Sequence, residues 1–356
     1  MSKRFPVLRI PLVVLTEIVS QLNPAEIVSI SLCSKRSLNL LKSNQLKNSR
    51  KWELHMTDQD DDRPDLPRIS IFLPDLFRQF LFTRICWLFD MLCAKSITDL
   101  KSENPQFVNI GSHRVPAVIE QGCLITYWED RVQGMKAITD YTCSLFSIHV
   151  SCVTIFKNSL WMLEWVSQRQ SEPLKNVNWW SAYKVFEDSW DDEAYSSAMR
   201  QCPPTESLYI ISQPSANYRL NEEIPKVNEI NIGRGRWVTV DNLMSIDSIE
   251  ITIGDSQLST ADIIKFVKHW LAGGIPRMEY IRIDSKNLNE LEFLTEELEP
   301  YVVPNEEIRK YQKNPVGIEF EFVGGYSIQR EDGVEATINF QHHSFHMAKW
   351  NDQIGF

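Results

Sequence analysis

The chain has 356 residues, 43% of them apolar, which suffices for two or three domains with a substantial core. Its formal net charge of -10 gives a field that does not favour nucleic acid or an anionic membrane. The seven cysteines (Cys33, Cys86, Cys93, Cys123, Cys143, Cys152 and Cys202) are odd in number and form no C-x-x-C pair. With no signal-peptide pattern, this predicts buried, reduced thiols in a cytoplasmic or nuclear protein rather than a disulfide framework.

The first forty residues predict a small helical hook. Pro11 suits a first helical position, and Leu12, Leu15, Ile18, Val19 and Leu22 follow at three- and four-residue steps. Asn23 ends that helix and caps the next, with Pro24 in the first turn and Glu26 placed for a capping box. Ile27, Ile30, Leu32 and Cys33 supply the second apolar face, and Leu38, Leu40 and Leu41 begin a third helix. About forty residues is near the lower limit for a core that folds unaided, so the hook is expected to bury part of its apolar face against a partner or its own chain.

Residues 5–41 resemble an F-box, the adaptor-binding module of cullin–RING ubiquitin ligases. The matching positions are Ile10-Pro11, Leu15, Ile18, Leu22, Pro24, Ile27, Leu32 and Ser34-Lys35-Arg36. Many F-boxes carry an aromatic residue after the basic pair, where this chain has Ser37. The resemblance implies docking on the ligase's small adaptor subunit through Ile10, Pro11, Leu15, Ile18, Leu22, Pro24 and Leu32, with Lys35 and Arg36 at the rim.

The organisation expected after the F-box (residues 1–55) is an acidic linker with an amphipathic helix (56–103), then a substrate-binding body (104–356). Thr57 to Pro67 holds five Asp and two Pro and predicts an exposed linker. An EF-hand fails there for want of its Gly and distal Glu. Residues 71–93 are strongly apolar, but Asp75, Arg78, Arg84 and Asp90 exclude a membrane span and predict a docked amphipathic helix from Pro74 to Ala94.

In the body, Phe107–Ile110, Val115–Tyr127 and Lys136–Ile155 predict a short antiparallel sheet, Leu160–Val166 a helix, and Val177–Met199 helical turns with a Trp-rich face. A weak repeat follows. Leu208-Tyr209-Ile210, Ile230-Asn231-Ile232, Ile251-Thr252-Ile253 and Ile281-Arg282-Ile283 share an apolar-x-apolar core, with first members 22, 21 and 30 residues apart. The last interval holds a helix capped by Ser259 with Asp262 three residues on, stopped by Gly273-Gly274. These features predict an α/β fold: an irregular, leucine-rich-repeat-like solenoid with antiparallel hairpins, among them one turning at Glu331-Asp332-Gly333. The stretch Trp237 to Gly273 is similar to the type 2 F-box-associated domain, best over 205–275, and the tail Gly324 to Ile338 shares that look.

Other clusters carry little chemistry. His342 and His346 would share a helical face and could offer imidazoles to a metal, but no H-E-x-x-H or third ligand follows, and a polar loop is the simpler account. Gly233-Arg234-Gly235-Arg236-Trp237 lacks phosphate-loop spacing, and His269-Trp270 reads as a packed pair. The sequence therefore predicts no catalytic residue, no cofactor and no metal. It predicts an interaction protein that binds an adaptor and an unknown protein substrate, with no nucleic acid partner and no membrane span. Exposed members of Trp179, Trp180, Trp190, Tyr218, Arg236 and Trp237 are the candidate substrate anchors. A non-degradative scaffold and a metal enzyme using the C-terminal histidines are the alternatives.

Overall fold

The structure, a computed structural model, describes residues 11–45, 52–58, 68–72, 89–120, 123–180, 190–312 and 319–350. The chain divides into two compact units, Met1–Cys152 and Val153–Phe356.

The first unit begins with α1 (Leu12–Gln21), α2 (Pro24–Ser31) and α3 (Lys35–Gln45). Strands β1 (Glu53–Thr57), β2 (Arg68–Phe72), β3 (Phe89–Ser96), β4 (Gln106–Ile110), β5 (His113–Glu120) and β6 (Cys123–Trp128) follow, then helix α4 (Arg131–Phe146). The strands run in the order β1-β2-β3-β6-β5-β4, antiparallel except for β3 beside β6, where Leu92 pairs with Leu124. Three expectations are corrected here. Residues 74–88 of the expected helix Pro74–Ala94 lie outside the described residues, and Phe89 to Ala94 belongs to a strand. Met91, Leu92, Cys93 and Ala94 are all buried with strands on either side, and a short apolar run of that kind has no period that separates strand from helix. Conversely, Lys136–Phe146 is helical. The Asp130 side chain accepts hydrogen bonds from the Val132 and Gln133 N–H groups at 2.9 and 3.1 Å, and Met135, Ile138, Thr139, Thr142, Cys143 and Phe146 bury one face at helical steps. Thr57 and Asp58, expected in the exposed linker, instead end β1 and lie buried: Asp58 accepts a 2.8 Å bond from Arg131, while 59–67 lie outside the described residues.

The second unit takes over within β7 (Val150–Ile155) and continues through α5 (Trp161–Arg169), β8 (Leu174–Trp179), α6 (Asp192–Gln201), β9 (Thr205–Ile210), β10 (Glu229–Ile232), α7 (Val240–Ser245), β11 (Glu250–Ser256), α8 (Thr260–Leu271) and β12 (Tyr280–Ser285). It ends with β13 (Val302–Gln312), β14 (Glu319–Gln329), β15 (Glu335–Gln341) and β16 (Ser344–Trp350). Strands β8 to β12 are parallel neighbours, and the four apolar-x-apolar cores lie in register: Leu208, Ile230, Ile251 and Ile281. Val177 belongs to β8 rather than to a helix; 181–189 lie outside the described residues, and the helix after them is α6. Between the four cores the strand–helix alternation holds for the last two intervals, while 211–228 connect β9 to β10 without helix or strand.

The remaining strands are antiparallel, in the order β13-β14-β15-β16-β12. The hairpin turns at Gly333 as expected, but β13 was not foreseen, because Pro304, Glu306, Glu307 and Lys310 give it the composition of a protected edge. A register shift between Asn305 and Ile308, opposite the positive-φ pair Gly324-Gly325, bends the β13–β14 hairpin. Its outer half thereby packs Tyr311, Phe320 and Phe322 against Tyr280, Ala348 and Trp350.

Candidate functional site

The N-terminal helices are built to hold one face inward and offer another. The Asn23 side-chain Oδ1 accepts from the Glu26 N–H and the Glu26 carboxylate accepts from the Asn23 N–H, both at 2.9 Å, so the capping box fixes the α1–α2 corner. Leu15 and Val19 of α1, Pro24, Ile27 and Val28 of α2 and Leu41 of α3 are buried. Contacts from α2 to β3 and from α3 to α4 seat the helices on the sheet of the first unit. The Ser31 and Tyr141 hydroxyls are 2.7 Å apart, and Lys42 Nζ donates to Ser144 Oγ at 2.7 Å. The hook thus buries its inner face against its own chain.

What remains outside is apolar. Val13, Val14 and Ile18 on α1 and Ile30 on α2 are 82%, 47%, 41% and 39% exposed. Ser34 precedes α3, and its hydroxyl accepts the Ser37 N–H at 3.1 Å and meets the Ser37 hydroxyl at 2.8 Å, so Ser37 serves the start of that helix. Lys35 and Arg36 open α3, both exposed, at the positive end of its dipole with no acidic residue in the first turn. That placement is unfavourable for the helix alone and leaves two exposed cations at its start.

The sequence-derived adaptor residues separate by burial. Pro11, Ile18, Lys35 and Arg36 are exposed, Leu22 and Leu32 half-buried, Leu15 and Pro24 buried beneath the surface, and Ile10 lies outside the described residues. Sequence reasoning passed over Val13 and Val14, because they stand off the apolar stripe; that position was itself the signal of an outward face.

In the second unit, four of the six candidate anchors prove to be core. Trp179, at the end of β8, stacks on Trp190 at 6.0 Å and meets Tyr195 edge-on at 5.5 Å; Tyr218 and Trp237 surround Tyr195 at 5.2 and 5.7 Å. All five rings are buried, and burial pushes the Tyr195 and Tyr218 hydroxyls above their usual range. Trp180 is half-buried, and Arg236 is exposed but held by Asp255 through bonds of 2.9 and 3.4 Å.

The remaining clusters are internally satisfied. Gly233 N–H donates to the Ile210 carbonyl and Gly235 N–H to the Gly254 carbonyl, each at 2.8 Å, so this loop turns its donors to its neighbours rather than to a phosphate. His342 and His346 share no helix: His342 sits in a turn, while His346 lies buried on β16. The His346 ring stacks on Phe320 at 4.1 Å, its Nδ1 is 3.0 Å from the Tyr280 hydroxyl, and burial, aided by Arg282, holds its pKa down to about 4. Among the described residues no group of three His, Cys, Asp or Glu side chains is placed to hold a metal, and no helix is long and apolar enough to cross a membrane.

Comparison with known proteins agrees with this geometry. Residues 7–49 match the F-box domain, and residues 221–283, which run from before β10 into β12, match the F-box-associated family. The chain carries an F-box followed by an F-box-associated domain. It is 25% identical over 232 residues to the Skn-1 dependent zygotic transcript 15 protein of Caenorhabditis elegans, across 60% of this chain. The match spans 62% of that relative's length. No solved structure matches the chain.

Proposed function

We propose that this protein is the substrate-recognition subunit of a cullin–RING ubiquitin ligase, binding the small adaptor through α1–α3 and a protein target through the second unit. The observation that carries the reading is the exposed apolar set Val13, Val14, Ile18 and Ile30 on helices whose inner faces are already buried. Covering what these four side chains expose, about two full side chains' worth, yields roughly 3–6 kcal/mol before the cost of association, a substantial part of what a specific contact needs. Lys35 and Arg36 add a rim that favours an acidic adaptor surface. Leu15 and Pro24 support this surface from beneath. The parallel strands β8–β12 serve as a leucine-rich-repeat-like platform for the target, with Trp180 and Arg236 as its candidate anchors. The chain performs no bond chemistry; it raises the effective concentration of the target beside the ubiquitin-charged subunits, in the cytoplasm or nucleus.

The test is a pulldown from cells read by mass spectrometry. Wild-type protein recovers adaptor and cullin, and Val13→Asp/Ile18→Asp protein loses both while keeping its other partners. Equal recovery by both proteins, or recovery by neither, refutes the assignment.

A further inference from the structure

An edge strand offers unpaired backbone groups to any added strand, and proteins defend such edges with charge, proline and irregular register. Strand β13 has all three: Pro304, Glu306, Glu307, Lys310 and the shift between Asn305 and Ile308. Strand β4, which ends the strand order of the first unit, has none of them. Gln106-Phe107-Val108-Asn109-Ile110 holds no charge and no proline, and it pairs with β5 without a break in register. Gly111, at φ +60°, and Ser112 form the two-residue turn between them, with glycine in the first central position as a type II′ hairpin requires. Such a turn closes on a hydrogen-bonded pair, here Ile110 with His113, so Val108 with Val115 and Gln106 with Ala117 are the other bonded pairs. The N–H and C=O groups of Phe107 and Asn109 therefore point away from β5. Among the described residues they have no partner.

The side chains beside these groups select the occupant. Phe107 is 55% exposed, and Asn109 and Arg114 are exposed on the same side of the hairpin. Arg114 belongs to β5, yet its guanidinium lies 5.1 Å from the centre of the Phe107 ring, so it leans across β4 towards the open edge. Among the described residues it has no carboxylate partner. We propose that the free edge of β4 takes up an extended, acidic segment of a partner protein as an added strand. Four backbone groups are available to it, two at Phe107 and two at Asn109. An added strand runs about 4.8 Å from β4, and its side chain opposite Phe107 rises on the side where the guanidinium lies. A glutamate or aspartate there meets Arg114 in a bidentate pair. The next side chain, opposite half-buried Val108, falls on the other side and is aliphatic. The backbone thus supplies the attachment and Arg114 the choice of a carboxylate. The proposal stands on the first unit alone and does not rest on the ligase reading.

The experiment uses the full chain and pools of fluorescent decapeptides read by anisotropy. Valine or isoleucine alternates with glutamate or aspartate in one pool, and with lysine or arginine in the other. The acidic pool binds and the basic pool does not. The acidic pool N-methylated at alternate backbone positions, which cannot join a ladder, does not bind either, a result that needs no variant. Asn109→Pro removes one outward N–H without touching a bond to β5, and it weakens binding tenfold or more. Arg114→Glu does the same for the acidic pool and admits the basic one, while Arg114→Gln weakens binding by less. All variants keep the wild-type melting temperature. No binding by wild-type protein, equal binding of the two pools, or binding that survives N-methylation or Asn109→Pro overturns the proposal. Light scattering on the unliganded protein gives the mass of one chain. A dimer that Asn109→Pro dissociates would assign the edge to a second copy of this chain and overturn the proposal as well.

Discussion

Trp179 and Trp180 are adjacent in sequence, yet their replacement should have very different consequences. Trp179 is fully buried, stacked on Trp190 and edge-on to Tyr195, whereas Trp180 lies half-buried past the end of β8. Replacing a buried tryptophan by alanine removes its transfer energy and leaves a cavity, about 3–5 kcal/mol. The two lost aromatic pairings, about 0.5–1.5 kcal/mol each, place Trp179→Ala at the upper end of that range. For a unit of this size a cost near 5 kcal/mol lowers the melting temperature by roughly 10–20 °C. Trp180→Ala should cost at most about 2 kcal/mol, roughly 4–8 °C. Scanning calorimetry of the two variants measures both. If Trp179→Ala melted within a few degrees of wild type while target binding was lost, Trp179 would be an exposed anchor, and the aromatic core described here would be wrong.

Other perturbations test particular elements. Ser259→Ala breaks a capping box in which Ser259 Oγ and N both donate to Asp262 Oδ2, at 2.7 and 2.9 Å; it should cost about 1 kcal/mol, read as an earlier denaturant midpoint with unchanged slope. Gly134→Ala would place a Cβ about 2.5 Å from the Trp128 ring, which is fixed by its 2.8 Å bond to Thr126 Oγ1; a loss of about 1–3 kcal/mol is expected in the first unit, and a neutral effect would contradict the α4–β6 packing. His346 is neutral in the folded state and faces Tyr280, Arg282 and Asp284. Because its folded pKa is depressed, the unfolded chain binds its proton first. The stability of the second unit should therefore fall as pH drops from about 6.5 to about 4, by an amount of order 3 kcal/mol, and His346→Gln should flatten that part of the wild-type profile.

The parts of the fold that were legible in the sequence were those where local chemistry and periodicity agreed. Asn23-Pro24 with Glu26, and Ser259 with Asp262, announced helix starts, and the Ile-x-Ile cores announced parallel strands. The misread segments were those whose structure comes from distant partners. Phe89–Ala94 is a strand because β2 and β6 flank it, and nothing within the segment says so. Lys136–Phe146 was read by its β-branched content, yet Asp130 and the helical spacing of Met135, Ile138, Thr142 and Phe146 were there to be counted. Burial could not be sorted by residue type. Trp179, Trp190, Tyr218 and Trp237 look like binding anchors by residue type, yet they pack on one another and around Tyr195 in the core. Conversely, the exposed face of α1 was visible as Val13 and Val14, apolar residues that the inward stripe does not use.

The central claim is that α1 and α2 present an adaptor-binding face, and direct calorimetric titration of purified adaptor into this protein tests it. The account predicts a specific 1:1 complex for wild type and at least a hundredfold loss for Val13→Asp/Ile18→Asp, with the melting temperature kept. Leu15→Asp, which places a charge in the core, should instead unfold the first unit. A wild-type protein that shows no heat of binding, or a double variant that binds as tightly as wild type, would contradict it.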